Sequence, residues 1–285
     1  MPPLISVITA TYNRRELLLR KLESLKEQSL EPQGFEAVVL VNGSKDGTLA
    51  ALDSAAFPFA LKVIAQEKNL GSARGRNAAA RAAEGAILLM SDDDCLLTPR
   101  VLAAHLEAHQ RYGHAVVVGP TKLAEGLRSG RLAEPFEGVQ GLGRRALWIH
   151  ATGTNSSMPR RAFKEVGGYD ETFSAYGGED PSLALKLRAH GLRFRFAPEA
   201  VVYHLGRQLE GDFSGRAFSA GRAQWRVYKQ HPSLEVGLML GVHPLLLGVK
   251  RLVFSELVAS RIAHPRYHYE RAYYEGALEE KRRGG

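Results

Sequence analysis

Residues 87–94 read ILLMSDDD, an apolar run followed by a serine and three consecutive carboxylates. Such an uninterrupted apolar run is typical of a strand that is buried on both faces, as in a parallel sheet. In open α/β sheets, ligands bind beyond the carboxyl ends of the strands. The stretch therefore predicts a central strand with an acidic ligand site at its end.

The acidic triplet has two interpretations. Three adjacent like charges disfavour the ionised forms unless a cation compensates them. Oxygen ligands suit a hard divalent ion, such as Mg²⁺ or Mn²⁺, that also binds phosphate oxygens. An isolated triplet would favour the other interpretation, a solvated acidic turn before the helix that starts near Thr98-Pro99. Because a buried strand leads directly into Asp92, Asp93 and Asp94, we favour a metal–diphosphate site.

The composition is that of an ordinary globular protein, with 285 residues, 45% hydrophobic and 24% charged. The net charge of +8 suits nucleic acid, an anionic membrane surface or phosphate-bearing small molecules. Basic residues are scattered and no nucleic-acid-binding motif is evident, so no nucleic-acid partner is expected. Cys95 is the only cysteine, which excludes an intrachain disulfide and fits a reducing compartment. The first residues lack the pattern of a signal peptide, and a cytoplasmic location is expected.

Strands alternate with helices at a spacing that predicts an α/β fold with a mainly parallel, Rossmann-like sheet flanked by helices. Besides the central strand, strands are predicted over 4–11, 36–41, 61–65 and 115–118, an extended segment over 148–158, and helices over 71–83, 160–166 and 179–190. Asn13 and Glu16 form a capping-box-like pair for the first helix. We divide residues 1–206 into a nucleotide-binding half, about 1–98, and an acceptor half, about 99–206.

Two segments depart from this alternation. Glycine-rich residues 123–145 predict either a mobile loop over the site or a surface insertion. Residues 207–285 predict a helical C-terminal extension, in which 236–249 is apolar apart from His243 and is broken by Pro244. This extension is expected to contact a membrane surface. The alternative is that it packs on the catalytic domain, or on a second subunit in a homo-oligomer. The basic residues that would contact anionic lipid are Lys250, Arg251, Arg261 and Arg266.

Five segments, in order along the chain, resemble the family 2 glycosyltransferases with the GT-A fold. They read VITATYNR (7–14), LVNGSKDGT (40–48), NLGSARGRNAAARAAEGAILLMSDDD (69–94), GTNSSMPRRAFKEVGGYDETFSAYGGED (153–180) and FRFAPEAVVYH (194–204). The resemblance covers about residues 4–206. It implies a GT-A domain that transfers a sugar from a nucleotide-diphosphate donor with Mn²⁺ or Mg²⁺ as cofactor.

The resemblance also implies roles for individual residues. Asp94 and His204 would hold the metal, and Asp92 would contact the ribose of the donor. Asp180 would be the general base, with Glu179 as its neighbour at the start of a helix. The other residues on the donor side would be Thr11, Tyr12, Asn13, Arg14, Asn42, Arg74, Arg76, Asn77 and Asp93.

Each assignment has a structural alternative. Glu179 and Asp180 would also suit a helix N-terminus, where the helix dipole favours negative charge. His204 would also suit the core. Arg74 and Arg76 would suit a solvated helix face, although Gly71 and Gly75 beside them favour a phosphate approach.

The chain departs from the family pattern at two places. Val41 stands where the family often has an acidic residue that reads uracil, so recognition of uridine by a carboxylate is not expected here. Pro181-Ser182 replaces the branched apolar residue and acid that usually follow Glu-Asp, and this alters the first turn of that helix.

The expected reaction is inverting transfer to a hydroxyl, because a single base without a covalent intermediate gives direct displacement. A saccharide or lipid-linked acceptor is expected, in cell-surface polysaccharide or glycolipid synthesis, by an enzyme that is cytoplasmic or peripheral at the inner face of the membrane. A sugar nucleotidyltransferase is the first alternative. It requires a glycine-rich loop with a basic residue after the first strand, where this chain has ATYNR (10–14). A non-catalytic basic binding protein is the second alternative.

Overall fold

The computed structural model describes residues 2–124, 145–206, 213–254 and 265–283. Most of the predicted loop over 123–145 therefore lies outside the described residues, as does Arg261. The strands are β1 (Ile5–Thr11), β2 (Phe35–Asn42), β3 (Ala60–Gln66), β4 (Ile87–Met90), β5 (Cys95–Leu97), β6 (Ala115–Val118), β7 (Thr121–Leu123), β8 (Ser156–Pro159), β9 (Arg193–Phe196) and β10 (Val202–His204).

Helices follow most of these strands. They are α1 (Arg15–Lys26), α2 (Thr48–Ser54), α3 (Ser72–Ala82), α4 (Val101–Tyr112), α5 (Arg160–Glu165), α6 (Glu179–Ala189), α7 (Phe213–Gln230), α8 (Leu234–Met239), α9 (Pro244–Val253) and α10 (Pro265–Arg283). In the described part of the chain after residue 206, four helices confirm the predicted helical extension. The division of the chain into domains stays a prediction.

Within the described ranges, seven strands form one sheet in the order β3-β2-β1-β4-β8-β6-β9. β8 runs antiparallel to its neighbours β4 and β6, whereas the other pairings are parallel. This arrangement confirms the predicted mainly parallel sheet flanked by helices. β5, β10 and β7 form a small second sheet, in which neither β5 nor β7 was predicted from the sequence.

The central strand is buried on both faces, as predicted. Leu88 and Met90 point into one apolar cluster and Leu89 into another, and all three are fully buried. Side chains alternate between the two faces of a strand, so β4 contributes to both cores. The strand therefore fixes the acidic triplet rigidly at its carboxyl end.

Two local predictions were wrong. The side chain of Asn13 does not cap α1, because Asn13 adopts a positive φ of 51° and the cap position falls on Arg14. The Asn13 side-chain oxygen instead accepts a hydrogen bond from the backbone N–H of Lys45 at 2.8 Å. The predicted extended segment from Trp148 to Met158 begins as a 3₁₀ turn over Trp148–His150, and only its end is a strand.

The C-terminal helices share a hydrophobic core with the sheet domain. Trp225 of α7, Leu247 of α9 and Ala277 of α10 belong to the same buried cluster as Met90 and Phe173. α7 also packs beside the turn before α6, where a Cβ on Gly178 would overlap Ala223. Part of the surface of the extension therefore packs on the catalytic domain, as one of the predicted alternatives has it.

Two glycines allow α7 and α10 to cross closely. A Cβ on Gly221 would overlap the Tyr273 carbonyl oxygen, and a Cβ on Gly276 would overlap that of Phe218.

Replacing Gly276 by Ala is expected to destabilise the protein by about 1–3 kcal/mol, since the backbones must separate. Thermal unfolding measures this change. Gly248→Ala in α9 is the matched control, because its Cβ would meet nothing within 4 Å. Equal melting temperatures for the two variants would contradict the close crossing.

Candidate active site

The carboxyl ends of β1 and β4 bring Thr11 and Arg14 to the acidic triplet. The Thr11 hydroxyl donates to Asp93 Oδ2 at 2.8 Å. Arg14 Nη1 donates to Asp93 Oδ1 at 2.7 Å and to Asp94 Oδ2 at 3.0 Å. One guanidinium therefore partly neutralises two adjacent carboxylates.

The two carboxylates respond differently to burial. Burial raises the pKa of Asp93, and the charge and hydrogen bond of Arg14 offset this only in part. Burial also opposes ionisation of Asp94, but His204 and Arg14 outweigh it and lower the pKa of Asp94 to about 2. Asp94 is therefore a carboxylate at neutral pH, as a metal ligand must be.

Pairing between β5 and β10 brings His204 to Asp94. His204 lies opposite Cys95 in the register of these strands, and the Leu205 N–H donates to the Asp94 carbonyl at 2.8 Å. His204 Nε2 is 3.3 Å from Asp94 Oδ1. Ligand atoms of Asp94, Cys95 and His204 lie within 4.8 Å of one another. The resemblance implied the first and last of these residues, and no sequence signal indicated Cys95.

The donor set of this cluster fits a divalent cation. A carboxylate suits Mg²⁺ and Mn²⁺, whereas an imidazole suits borderline transition metals, so Mn²⁺ matches the pair Asp94 and His204 better than Mg²⁺. Burial raises the pKa of the Cys95 thiol well above its usual range. Because the thiolate is the metal-binding form, Cys95 is the weakest ligand of the three.

Lys21 lies beneath the acidic turn and was not identified from the sequence. Its side chain is fully buried in the face of α1 formed by Leu18, Leu22 and Leu25, and its Nζ donates to Ser91 Oγ at 2.5 Å. Burial lowers the pKa of Lys21. A lysine in the apolar stripe of a helix was the available signal, since it must reach a polar partner.

Asp180 and Glu179 begin α6, as predicted. The Gly153 N–H donates to Asp180 Oδ2 at 3.0 Å. Ser72 Oγ donates to Glu179 Oε1 at 3.0 Å, which joins α6 to the start of α3. Gly153 lies just before β8, whose first residue pairs with the last residue of β4. The Asp180 contact therefore lies at the edge of the sheet that carries the acidic triplet.

One oxygen of Asp180 is buried without a hydrogen bond. Among the described residues, Oδ1 finds no hydrogen-bond partner, and the nearest cation is Arg76 Nη1 at 3.6 Å. Burial raises the pKa of Asp180 to about 7, against the attraction of Arg76. A buried, unsatisfied carboxylate oxygen is costly, so this group is suited to accept a proton from a ligand.

Arg76 joins the two acidic segments. Its Nη2 donates to Asp92 Oδ1 at 2.6 Å, and its Nη1 donates to Glu179 Oε1 at 3.4 Å. The resemblance implies that Arg76 and Asp92 contact the donor, which stays a prediction, and in the structure the two side chains also bind each other. Arg76 is buried and its guanidinium also lies over the Tyr169 ring at 5.5 Å. The arginine therefore fixes the separation between the acidic triplet and Asp180.

Three other residues implied for the donor have partners within the protein. Asn77 Nδ2 donates to the Tyr169 carbonyl and Asn77 Oδ1 accepts from the Tyr169 N–H, both at 2.9 Å. Asn42 is buried and accepts from the Leu70 N–H at 2.8 Å. Arg74 is over half exposed and lies 3.5 Å from Glu171. Asn77 thus joins the middle of α3 to Tyr169, and Asn42 fixes the turn before α3; no contact of either with the acidic triplet is found among the described residues.

A polar cleft of about 380 Å³ adjoins the triplet at the N-terminus of α1. Its lining consists of Asn13, Arg14, Arg15, Glu16, Leu17 and Asp46. Tyr12 is 45% exposed and follows Thr11 directly. Positive side chains and a helix N-terminus provide an environment that favours a phosphate group.

Comparison with known proteins identifies the family. The model of glycosyl transferase family 2 matches residues 6–167, more than half of the chain. The chain belongs to glycosyltransferase family 2. Residues 139–207 also match the model described as the N-terminal domain of galactosyltransferase.

Curated relatives of this family 2 chain are glycosyltransferases. Validoxylamine A glucosyltransferase of Streptomyces hygroscopicus subsp. limoneus is 32% identical over 81% of this chain and 58% of its own length. The uncharacterized glycosyltransferase YfnE of Bacillus subtilis is 30% identical over 70% of this chain and 64% of its own length. The chain therefore spans about three fifths of these relatives.

Solved structures of glycosyltransferases share the GT-A fold. Mannosyltransferase PcManGT of Pyrobaculum calidifontis, solved with GDP-Man and Mn²⁺, has a TM-score of 0.67 and 19% identity, covering 99% of this chain and 88% of that protein. TarS 1–349 of S. aureus with UDP-GlcNAc has a TM-score of 0.62 and 21% identity, covering 100% and 92%. At these identities the likeness shows the fold alone.

Proposed function

We propose that this protein is an inverting, Mn²⁺-dependent glycosyltransferase that moves a hexosyl group from a nucleotide-diphosphate donor to a hydroxyl acceptor. The observation that carries the proposal is the buried Asp180 Oδ1, which finds no hydrogen bond among the described residues. Arg76 ties this base to the acidic triplet, where a diphosphate with its cation would bind. Mg²⁺ is the alternative cation.

The proposed reaction needs one base and no covalent intermediate. Asp180 Oδ1 takes the proton of the acceptor hydroxyl while the oxygen of that hydroxyl bonds to the anomeric carbon of the donor sugar. The bond from that carbon to the diphosphate oxygen breaks, and the diphosphate leaves with both electrons. Attack opposite the leaving group inverts the anomeric configuration. Base catalysis of this kind contributes about 10²–10⁴-fold to the rate.

The charge that develops on the leaving diphosphate requires compensation. Asp94 and His204 would hold Mn²⁺, which supplies Lewis-acid stabilisation of the diphosphate when bound. Arg14 contributes a second positive charge, since its Nη1 already contacts Asp93 and Asp94. Burial lowers the pKa of Arg14 but its carboxylate neighbours outweigh this and raise it, so the guanidinium stays charged.

The acceptor is proposed to be a saccharide or a lipid-linked saccharide of cell-surface polysaccharide or glycolipid synthesis. Two relatives support this class by name. Glucosyl-dolichyl phosphate glucuronosyltransferase of Haloferax volcanii is 25% identical over 79% of this chain. The O-antigen biosynthesis protein RfbC of Myxococcus xanthus is 28% identical over 71% of this chain.

The donor is tested by a thermal-shift screen. UDP, GDP, TDP and CDP are each added with Mn²⁺, with Mg²⁺ and with a chelator, and the matching nucleotide sugars follow. Binding of a nucleoside diphosphate stabilises the fold by mass action, and the shift should require Mn²⁺. A far larger shift with UDP than with the other three would contradict the expectation from Val41, whose buried side chain offers no hydrogen-bond acceptor. No shift with any nucleotide would overturn the proposed function.

A further inference from the structure

The helix α9 presents its most apolar face to solvent. Leu245, Val249, Leu252 and Val253 are 48–75% exposed and follow the spacing i, i+4, i+7, i+8, which places them on one side of the helix. This spacing normally marks the face that a helix buries in the core. In α9 only Leu247 is fully buried.

The preceding helix α8 also exposes apolar side chains. Leu234 and Leu238 are one helical turn apart and are 61% and 51% exposed, and Met239 is 38% exposed. We call these seven residues the apolar patch. Seven large apolar side chains exposed within residues 234–253 are unusual for a soluble monomer that has no partner at that surface.

We propose that the apolar patch docks on the surface of an anionic lipid bilayer. The charges around it suit this partner. Glu235 is the only acid of residues 234–253, and both its carboxylate oxygens are held by Arg188 at 2.7 Å. Arg251 is exposed between Val249 and Leu252, and the chain carries a net charge of +8. Basic side chains beside an apolar face are the pattern of interfacial helices.

The side chains of the patch favour lipid over a second protein. They are Leu, Val and Met, and residues 234–253 contain no Phe, Tyr or Trp. Protein interfaces concentrate aromatic residues and arginine at their centres. Leucine, the commonest residue of the patch, is one of the residues that interfacial helices bury in a bilayer.

The fold favours lying on the bilayer over crossing it. Within the described residues, the segment Leu234–Val253 is long and apolar enough for a membrane span by length and composition. The structure breaks it into two helices, with Leu240 and Val242 buried in the protein between them. α9 has 10 residues, a length of about 15 Å, which is half of the hydrocarbon thickness of about 30 Å.

Vesicle flotation tests the proposal on the full chain. We expect the wild type to float with vesicles of phosphatidylcholine and phosphatidylglycerol and to bind less to pure phosphatidylcholine or at high salt. The variant Leu245→Ser/Val249→Ser/Leu252→Ser should lose more than about 100-fold of its partition coefficient, since each buried aliphatic side chain is worth about tenfold or more. Arg251→Gln should lower only the anionic component.

The matched control is Leu4→Ser/Leu49→Ser/Leu147→Ser, which removes exposed leucines elsewhere on the surface and should float like the wild type. Circular dichroism of each variant checks that the fold is kept. A wild type that stays with the soluble fraction overturns the proposal, as does a patch variant that floats normally. A wild-type dimer that the patch variant alone dissociates, without vesicle binding, would assign the patch to a second copy of the chain. These outcomes do not depend on donor binding, so they are separate from the test of the proposed function.

Discussion

Asp180→Asn is expected to lower turnover by about 10²-fold or more while leaving donor binding nearly unchanged. Asparagine keeps the shape of the side chain and still accepts the Gly153 N–H, which donates to Asp180 Oδ2 at 3.0 Å. It removes the basic oxygen that would take the proton of the acceptor. The measurement is kcat with saturating donor and Mn²⁺, together with the dissociation constant of the nucleoside diphosphate.

The pH dependence provides a second readout for Asp180. Burial raises its pKa to about 7, so the base is protonated and inactive below that pH. Turnover of the wild type should therefore rise with pH through about 7 and level off above it, and the variant should lose this limb. Asp53→Asn, an exposed substitution on α2, is the control and should behave as the wild type. Near-normal turnover of Asp180→Asn would exclude Asp180 as the base.

Asp94→Asn is expected to raise the Mn²⁺ concentration needed for donor binding by at least about 100-fold. Loss of a side chain that only hydrogen-bonds to a metal ligand already lowers metal affinity by about 10–100-fold. Asp94 is proposed as a direct ligand, so its loss should have at least the upper effect. Its pKa of about 2 shows a carboxylate held ionised by His204 and Arg14 against the effect of burial. The amide of asparagine keeps an oxygen but loses the charge.

Mn²⁺ binding followed by electron paramagnetic resonance measures this effect without relying on turnover. His204→Ala should also raise the Mn²⁺ requirement, with a smaller loss at saturating Mn²⁺. Cys95→Ser should change the requirement little, because the raised pKa of the thiol keeps it protonated. An unchanged Mn²⁺ affinity in Asp94→Asn would refute the assignment, and a large effect in Cys95→Ser alone would move the site to the thiol.

Local sequence patterns were sufficient for the parallel strands β1, β2, β3, β4 and β6 of the large sheet. The run ILLM (87–90) could be read as a buried strand because four apolar side chains must face two cores. Glu179 and Asp180 could be placed at a helix start because negative charge favours that position. Such predictions depend on neighbours along the chain, which the sequence displays directly.

The partners of individual side chains depended on the tertiary structure. The fold brings α6 and the acidic turn to either side of Arg76, so its guanidinium lies within 3.6 Å of three carboxylates, and donor contact by Arg76 stays a prediction from the resemblance. Asn77 is bound by Tyr169, which lies 92 residues away in sequence. A periodic pattern shows that a residue lies on a helix face but not which distant segment covers that face.

The sequence by itself determined the α/β class, the central strand and the acidic edge, because periodicity and local charge set these features. Only the tertiary structure decided three others. β5–β10 pairing sets His204 beside Asp94, burial leaves one oxygen of Asp180 without a hydrogen bond among the described residues, and α9 turns its apolar stripe outward. Each of these depends on contacts between segments far apart in the chain, and on which surface remains uncovered once the chain has folded.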